Sequence, residues 1–185
     1  MGIMTSLVYG NTYRIENVFN GWKGGNLDAC GRAACCRKNL YDVSTSEFFS
    51  TEKLSSIWKI ESTNGKGDGT PVVTNDAVYL VNQYGTESYL DACGGGIHFQ
   101  DVSTNTKKNE DTTIWIILAH SGGGIHEGDT VSLLNEATEL KEEGYLHTDK
   151  YPPICDENLF NVSVGYYSPD FANGSLQWRF IEIPA

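Results

Sequence analysis

Asn26-Leu27-Asp28-Ala29-Cys30-Gly31 and Tyr89-Leu90-Asp91-Ala92-Cys93-Gly94 share Leu-Asp-Ala-Cys-Gly at an offset of 63 residues. A match held at one register marks an internal repeat, and the signals around it recur in the same order. Downstream come Tyr41-Asp42-Val43-Ser44-Thr45 and Gln100-Asp101-Val102-Ser103-Thr104, then Ile57-Trp58-Lys59-Ile60 and Ile114-Trp115-Ile116-Ile117. This template reveals a third, more divergent copy in Gly144-Tyr145-Leu146-His147-Thr148, Phe160-Asn161-Val162-Ser163 and Leu176-Gln177-Trp178-Arg179-Phe180. Each copy follows a strand-like run that ends in Asn17, Asn82 or Asn135. Trp58, Trp115 and Trp178 are 57 and 63 residues apart, so three units over approximately 10–68, 69–127 and 128–185 fill one domain spanning 1–185.

Within a unit the apolar period is two, the signature of half-buried strands. Tyr13 and Ile15 alternate with Arg14 and Glu16, and the turn chemistry of Asn20-Gly21-Trp22-Lys23-Gly24-Gly25 then returns the chain through Leu27 to Cys30. Four strands per unit predict about twelve in all, with residues before Thr12 as a short lead-in. Glu136–Glu143 is the one helix-favouring run, and it is long enough only for about a turn.

The chain has 185 residues, 39% hydrophobic and 20% charged, with 20 glycines, as expected of a turn-rich all-β domain. A formal charge of −11 repels phosphate backbones, which argues against nucleic acid as a partner. No eighteen apolar residues run together and no signal-peptide pattern opens the chain, predicting a soluble protein, cytoplasmic or released without a classical signal, that inserts in no membrane. Five cysteines is an odd number, and Cys30 and Cys93 occupy equivalent places where the third unit has Asp149. This favours structural thiols over bridges in a reducing compartment. Cys30, Cys35, Cys36 and Cys155 fit no familiar zinc spacing, and neither a metal nor another cofactor is expected.

Three four-stranded units of this length resemble the β-trefoil, in which six strands close a short barrel and three hairpins cap it. The resemblance implies a shared core in which Leu27, Leu90 and Leu146, Val43, Val102 and Val162, and the three tryptophans meet about a pseudo-threefold axis. Leu27-Asp28 and Leu90-Asp91 are further similar to the element with which ricin-type β-trefoil lectins hold sugar hydroxyls. His147 stands at that place in the third unit, and Ser56, Thr113 and Leu176 stand where those lectins carry the Gln of Gln-x-Trp.

The resemblance implies a non-catalytic, carbohydrate-binding protein with shallow, multivalent sites on the hairpins and glycans or glycoproteins as partners, with a homodimer as a further possibility. A carboxylate accepts from two vicinal hydroxyls at once, and a tyrosine or tryptophan ring offers flat apolar area to a sugar face. The first site is expected to combine Asp28 with Trp22, and the second Asp91 with Tyr84 or Tyr89. Asp42, Asp101 and Asn161, which precede the repeated Val, join the set with Tyr145 and His147 in the third unit. No catalytic motif, paired carboxylate or phosphate loop is recognisable. The rival reading is a protein-interaction β-trefoil: a protease inhibitor, or the receptor-targeting part of a toxin. Gly10-Asn11-Thr12-Tyr13-Arg14-Ile15 and Trp178-Arg179-Phe180 resemble the opening and closing of fungal trefoil inhibitors of cysteine proteases, and Lys150-Tyr151-Pro152-Pro153-Ile154-Cys155 is the candidate inhibitory loop.

Overall fold

A computed structural model describes residues 4–33, 36, 38–93, 99–108, 111–137, 144–149, 151–153, 155, 157–165 and 175–184. The expected helical turn at Glu136–Glu143 lies outside these residues from position 138 onward. Among the described residues the regular structure is twelve strands with three single turns of helix. The strands are β1 (Thr12–Asn17), β2 (Asn26–Cys30), β3 (Asp42–Ser46), β4 (Trp58–Ser62), β5 (Ala77–Asn82), β6 (Ser88–Cys93), β7 (Phe99–Asn105), β8 (Trp115–Ala119), β9 (Val131–Asn135), β10 (Tyr145–Asp149), β11 (Phe160–Gly165) and β12 (Trp178–Glu182).

Antiparallel pairing closes six of them into a ring, β1–β4–β5–β8–β9–β12 and back to β1. The remaining six form hairpins β2–β3, β6–β7 and β10–β11. The second strands of these hairpins pair with one another, β3 with β7, β7 with β11 and β11 with β3. Closure of both sets leaves the barrel without an open edge.

The core explains why this order recurs. Trp58, Trp115 and Trp178 are fully buried, and a buried indole N–H must find an acceptor. Each donates to the carbonyl of the leucine on its own unit's hairpin, Leu27, Leu90 or Leu146, at 2.9 Å in all three cases. The asparagines that end β1, β5 and β9 do a second repeated job. Asn17, Asn82 and Asn135 donate through Nδ2 to the carbonyls of Ser175, Ser55 and Thr112, each at 2.8 Å. Their Oδ1 atoms accept the backbone N–H two residues on, at Phe19, Tyr84 and Ala137. Val43, Val102 and Val162 join the leucines in the core, as expected.

The segment before Thr12 is more than a lead-in. Leu7 is buried with Val72 and Ile125, and the three close a cycle of backbone bonds at the other end of the barrel. Leu7 N–H donates to Ile125, Val72 N–H to Leu7 and Ile125 N–H to Val72. The apolar residue about five positions ahead of each unit's first strand is the sequence signal for this plug.

The expectation of free thiols is overturned. Cys30 is bridged to Cys155 and Cys36 to Cys93, with Cα separations of 6.1 and 6.2 Å. Each bridge joins the end of one unit's β2-type strand to the loop before another unit's β3-type strand. The repeated pattern Cys36-x-x-Asn39-Leu40-Tyr41 and Cys155-x-x-Asn158-Leu159-Phe160 marks the two loop cysteines as equivalent in the sequence, without naming their partners. Two bridges fit an oxidising compartment better than the reducing cytosol first inferred. Among the described residues, no helix is long and apolar enough to cross a membrane.

Candidate functional site

The Asp28 carboxylate forms the floor of the site. Alternation on β2 sends Leu27 and Ala29 to the core and Asp28 to the opposite face, where it is only 2% exposed. Its Oδ1 accepts from Ser55 Oγ at 2.8 Å and Ser56 Oγ at 2.7 Å, both on the helical turn Leu54–Ser56 that leads into β4. Its Oδ2 accepts from Asn158 Nδ2 at 3.1 Å and pairs with Lys53 Nζ at 3.2 Å. Asn158 also donates to Ser44 Oγ at 2.5 Å, so a third-unit side chain locks into the first unit's hairpin. Charge-assisted bonds of this number fix the carboxylate and orient everything around it.

Above it opens a cleft of about 690 Å³, whose walls include Lys53, Ser55, Arg32, Tyr41, Tyr84 and Glu157. Tyr84, on the turn between β5 and β6, is 49% exposed and meets the Tyr41 ring edge-on at a centroid distance of 5.4 Å. Two glycines permit this geometry. Gly85 has φ +59°, and a Cβ there would sit 2.9 Å from the Tyr41 hydroxyl. Gly31 has φ +56°, and a Cβ there would press on the Cys155 sulfur at 3.2 Å. The cleft therefore combines an exposed aromatic edge, a mixed-charge rim and a fixed carboxylate floor. That combination suits a polyhydroxylated ligand with one apolar face.

The expected pairings of residues are rearranged. Tyr84 lines the cleft with Asp28 instead of joining Asp91, because the β5–β6 turn of the second unit reaches over the first unit's hairpin. Trp22 does not line it. The tip residues Asn20, Gly21 and Trp22 all have positive φ, and the half-buried Trp22 ring lies under the Arg179 guanidinium at 4.0 Å, with Arg179 held by Glu16. Tyr89 is 8% exposed and packs edge-on against Tyr79 at 5.7 Å, so it offers no free face; burial, followed by Glu87 and Glu61, pushes its hydroxyl pKa up.

Asp91 repeats Asp28 on β6 and is 3% exposed, its Oδ2 accepting from Asn39 at 2.8 Å and Asn105 at 3.2 Å. Asn39 does for the second unit what Asn158 does for the first, and it also donates to Ser103 Oγ at 2.5 Å. His147 is buried, with Nδ1 3.0 Å from the Tyr145 carbonyl and Nε2 3.1 Å from Ser163 Oγ; burial lowers its pKa and favours the neutral ring. Tyr145 lines a smaller cleft of about 220 Å³ with His120 and Leu176. Asn161 donates to Asp149 Oδ2 at 2.8 Å. Asp42 is 4% exposed, and burial, reinforced by the charge of half-buried Asp101, pushes its carboxyl up to about 7. No group of three or more His, Cys, Asp or Glu among the described residues is placed to hold a metal ion.

The sequence reading missed Tyr41, Lys53, Arg32 and Asn158 as site residues. Tyr41 and Asn158 carried a signal in the repeated Asn-Leu-aromatic triplet, whereas Lys53 and Arg32 are peculiar to the first unit and no repeat marks them.

No protein-family model matches the chain, and no curated protein does. Solved structures match across nearly its whole length. The SDF2-like protein from Arabidopsis thaliana aligns with a TM-score of 0.75 at 14% identity, covering 97% of this chain and 98% of that one. The botulinum neurotoxin serotype D ligand binding domain, solved in complex with N-acetylneuraminic acid, aligns at 0.66 and 15% identity over 96% of this chain and 42% of its own. The designed threefold-symmetric protein ThreeFoil aligns at 0.62 and 15% identity, covering 93% and 99%. At these identities the likeness establishes a shared trefoil-like, all-β fold.

Proposed function

We propose that this chain is a non-catalytic, glycan-binding β-trefoil made of three copies about a pseudo-threefold axis, with its principal site in the cleft over Asp28. One observation carries the reading: the exposed Tyr84 ring, propped against Tyr41, faces a rim of Lys53, Arg32 and Glu157 above a fixed carboxylate. The triple recurrence of the Trp-to-Leu and Asn-to-carbonyl bonds supports the repeat. The neurotoxin domain crystallised with N-acetylneuraminic acid supports glycans as the ligand class on this fold. The cleft beside Tyr145 is a weaker second site, and two such sites would act together through avidity. A panel of immobilised glycans, including N-acetylneuraminic acid-terminated ones, tests the proposal with wild type and Tyr84→Ala. Retention on no glycan, or equal retention of both proteins, refutes it.

The second reading, a protein-binding trefoil such as a protease inhibitor or a toxin's targeting domain, has one observation in its favour. The Tyr151-Pro152-Pro153 segment presents Tyr151 at 57% exposure and ends at a cysteine bridged to Cys30. Lys150 and Ile154 of that segment lie outside the described residues. Titration against papain-like and trypsin-like proteases separates the two readings.

A further inference from the structure

Asp28, expected to accept from sugar hydroxyls, has no capacity left for them. A carboxylate offers about four lone-pair positions. Ser55 and Ser56 occupy Oδ1, while Asn158 and Lys53 occupy Oδ2. The carboxylate is buried, and its charge is answered by Lys53. Asp28 therefore serves the cleft by holding the groups around it, and a ligand must be recognised by side chains whose hydrogen-bonding capacity is still unspent.

Those side chains sit on the walls of the cleft. The Cys30–Cys155 bridge brings Arg32 and Glu157, each two residues beyond a bridged cysteine, to the same cleft. Arg32 is exposed and forms no ion pair or hydrogen bond with any of the described residues, Glu157 included. The other described arginines, Arg14 and Arg179, are both held by Glu16. In a chain with 24 acidic residues against 13 basic ones, an arginine without a carboxylate partner is the exception. Lys53 gives one N–H to Asp28 and one to Ser46, which leaves its third.

The unspent groups divide by what they can do. Glu157 accepts, and so does Ser55 once its own proton has gone to Asp28, which suits the hydroxyls that every sugar carries. Arg32 cannot accept, and its charge is fixed. Its five N–H groups form a planar fork, and the group that fills such a fork is a planar carboxylate held by two parallel bonds.

We propose that the cleft selects acidic sugars, with Arg32 receiving the carboxylate of a terminal sialic or uronic acid while the Tyr84 ring takes the apolar face. This rests on the glycan-binding reading and makes Arg32 its specificity-determining residue. A net charge of −11 works against a polyanion, so a single acid group on an otherwise neutral glycan fits the site best.

Matched pairs of ligands separate this inference from the reading beneath it. Glycans ending in N-acetylneuraminic acid or in glucuronic acid are immobilised beside their methyl esters, which keep the sugar and remove the charge. Wild type should hold the acid roughly 10- to 100-fold more tightly than the ester, the range of a charge-assisted pair. Retention of either acid over its ester supports the inference, and the two arms tell the sources of the carboxylate apart. Arg32→Gln should bind acid and ester alike, and Arg32→Lys, which keeps the charge without the fork, should fall between. Tyr84→Ala should weaken acid and ester together. Melting temperatures equal to wild type show that the variants are folded. Equal retention of acid and ester by wild type overturns the inference, and the glycan-binding reading then survives if Tyr84→Ala loses both. An acid preference that persists in a folded Arg32→Gln also overturns it. So does tighter binding of a glucosamine-terminated glycan, whose ammonium would answer Glu157 instead. Retention of no glycan removes the inference and the reading together.

Discussion

Replacing the Cys36–Cys93 bridge by two serines gives the sharpest test of how the units are held together. The bridge closes 57 residues of chain, and the chain-entropy relation assigns a loop of that length about 4 kcal/mol at 25 °C. The span lies inside the 125 residues closed by Cys30–Cys155, so the outer bridge already restricts the unfolded chain and the realised loss is smaller. A loss of about 2–4 kcal/mol, or a fall in Tm of roughly 5–15 °C for a chain of this size, is the expectation. The native barrel should survive, because Asn39 still joins the loop to Asp91 and Ser103. Urea unfolding followed by tryptophan fluorescence measures the change through Cm at constant m. Thiol titration of the unfolded wild type should find one free thiol per chain, since four of five cysteines are paired. A variant within about 0.5 kcal/mol of wild type, the range of an ordinary surface change, would refute the reasoning.

Further outcomes follow from single contacts. Trp115→Phe removes the indole N–H from the Leu90 carbonyl and leaves that acceptor buried, costing about 1–3 kcal/mol in urea unfolding. The Asp42 carboxyl has its pKa raised from 3.8 to about 7, so folding favours the protonated form. That contribution is complete below the unfolded value and is lost as pH climbs to and through about 7, by at most about 4 kcal/mol; Asp42→Asn should flatten this slope in urea titrations at several pH values. Asn158→Ala withdraws donors from Asp28 and Ser44 and should cost about 1–3 kcal/mol while weakening glycan retention, because the floor carboxylate loses a restraint.

The repeat made the barrel legible. Trp58, Trp115 and Trp178 recur because each must bond a leucine carbonyl of its own unit, and that obligation keeps their spacing fixed while the surface drifts. The disulfides were harder to read because each joins two units, and the direction in which one unit's loop reaches its neighbour is a property of the wrapped chain. The same cause separated Tyr84 from Asp91 and delivered it to Asp28. Tyr89 and Trp22 show the limit of reading aromatic residues by position. One ring fills a space beside Tyr79, and the other is covered by an arginine from the last strand, neither of which is encoded within its own hairpin.

Glycan retention by Tyr84→Ala tests the central claim most directly. Tyr84 is half exposed on a turn and makes its ring contact with Tyr41, so its removal should leave stability within about 0.5 kcal/mol of wild type and isolate the effect on binding. The account predicts that wild type binds a subset of immobilised glycans and that the folded variant loses at least about tenfold in affinity, the equivalent of 1.4 kcal/mol of stacking. A folded Tyr84→Ala protein that binds the same glycans with unchanged affinity would contradict it.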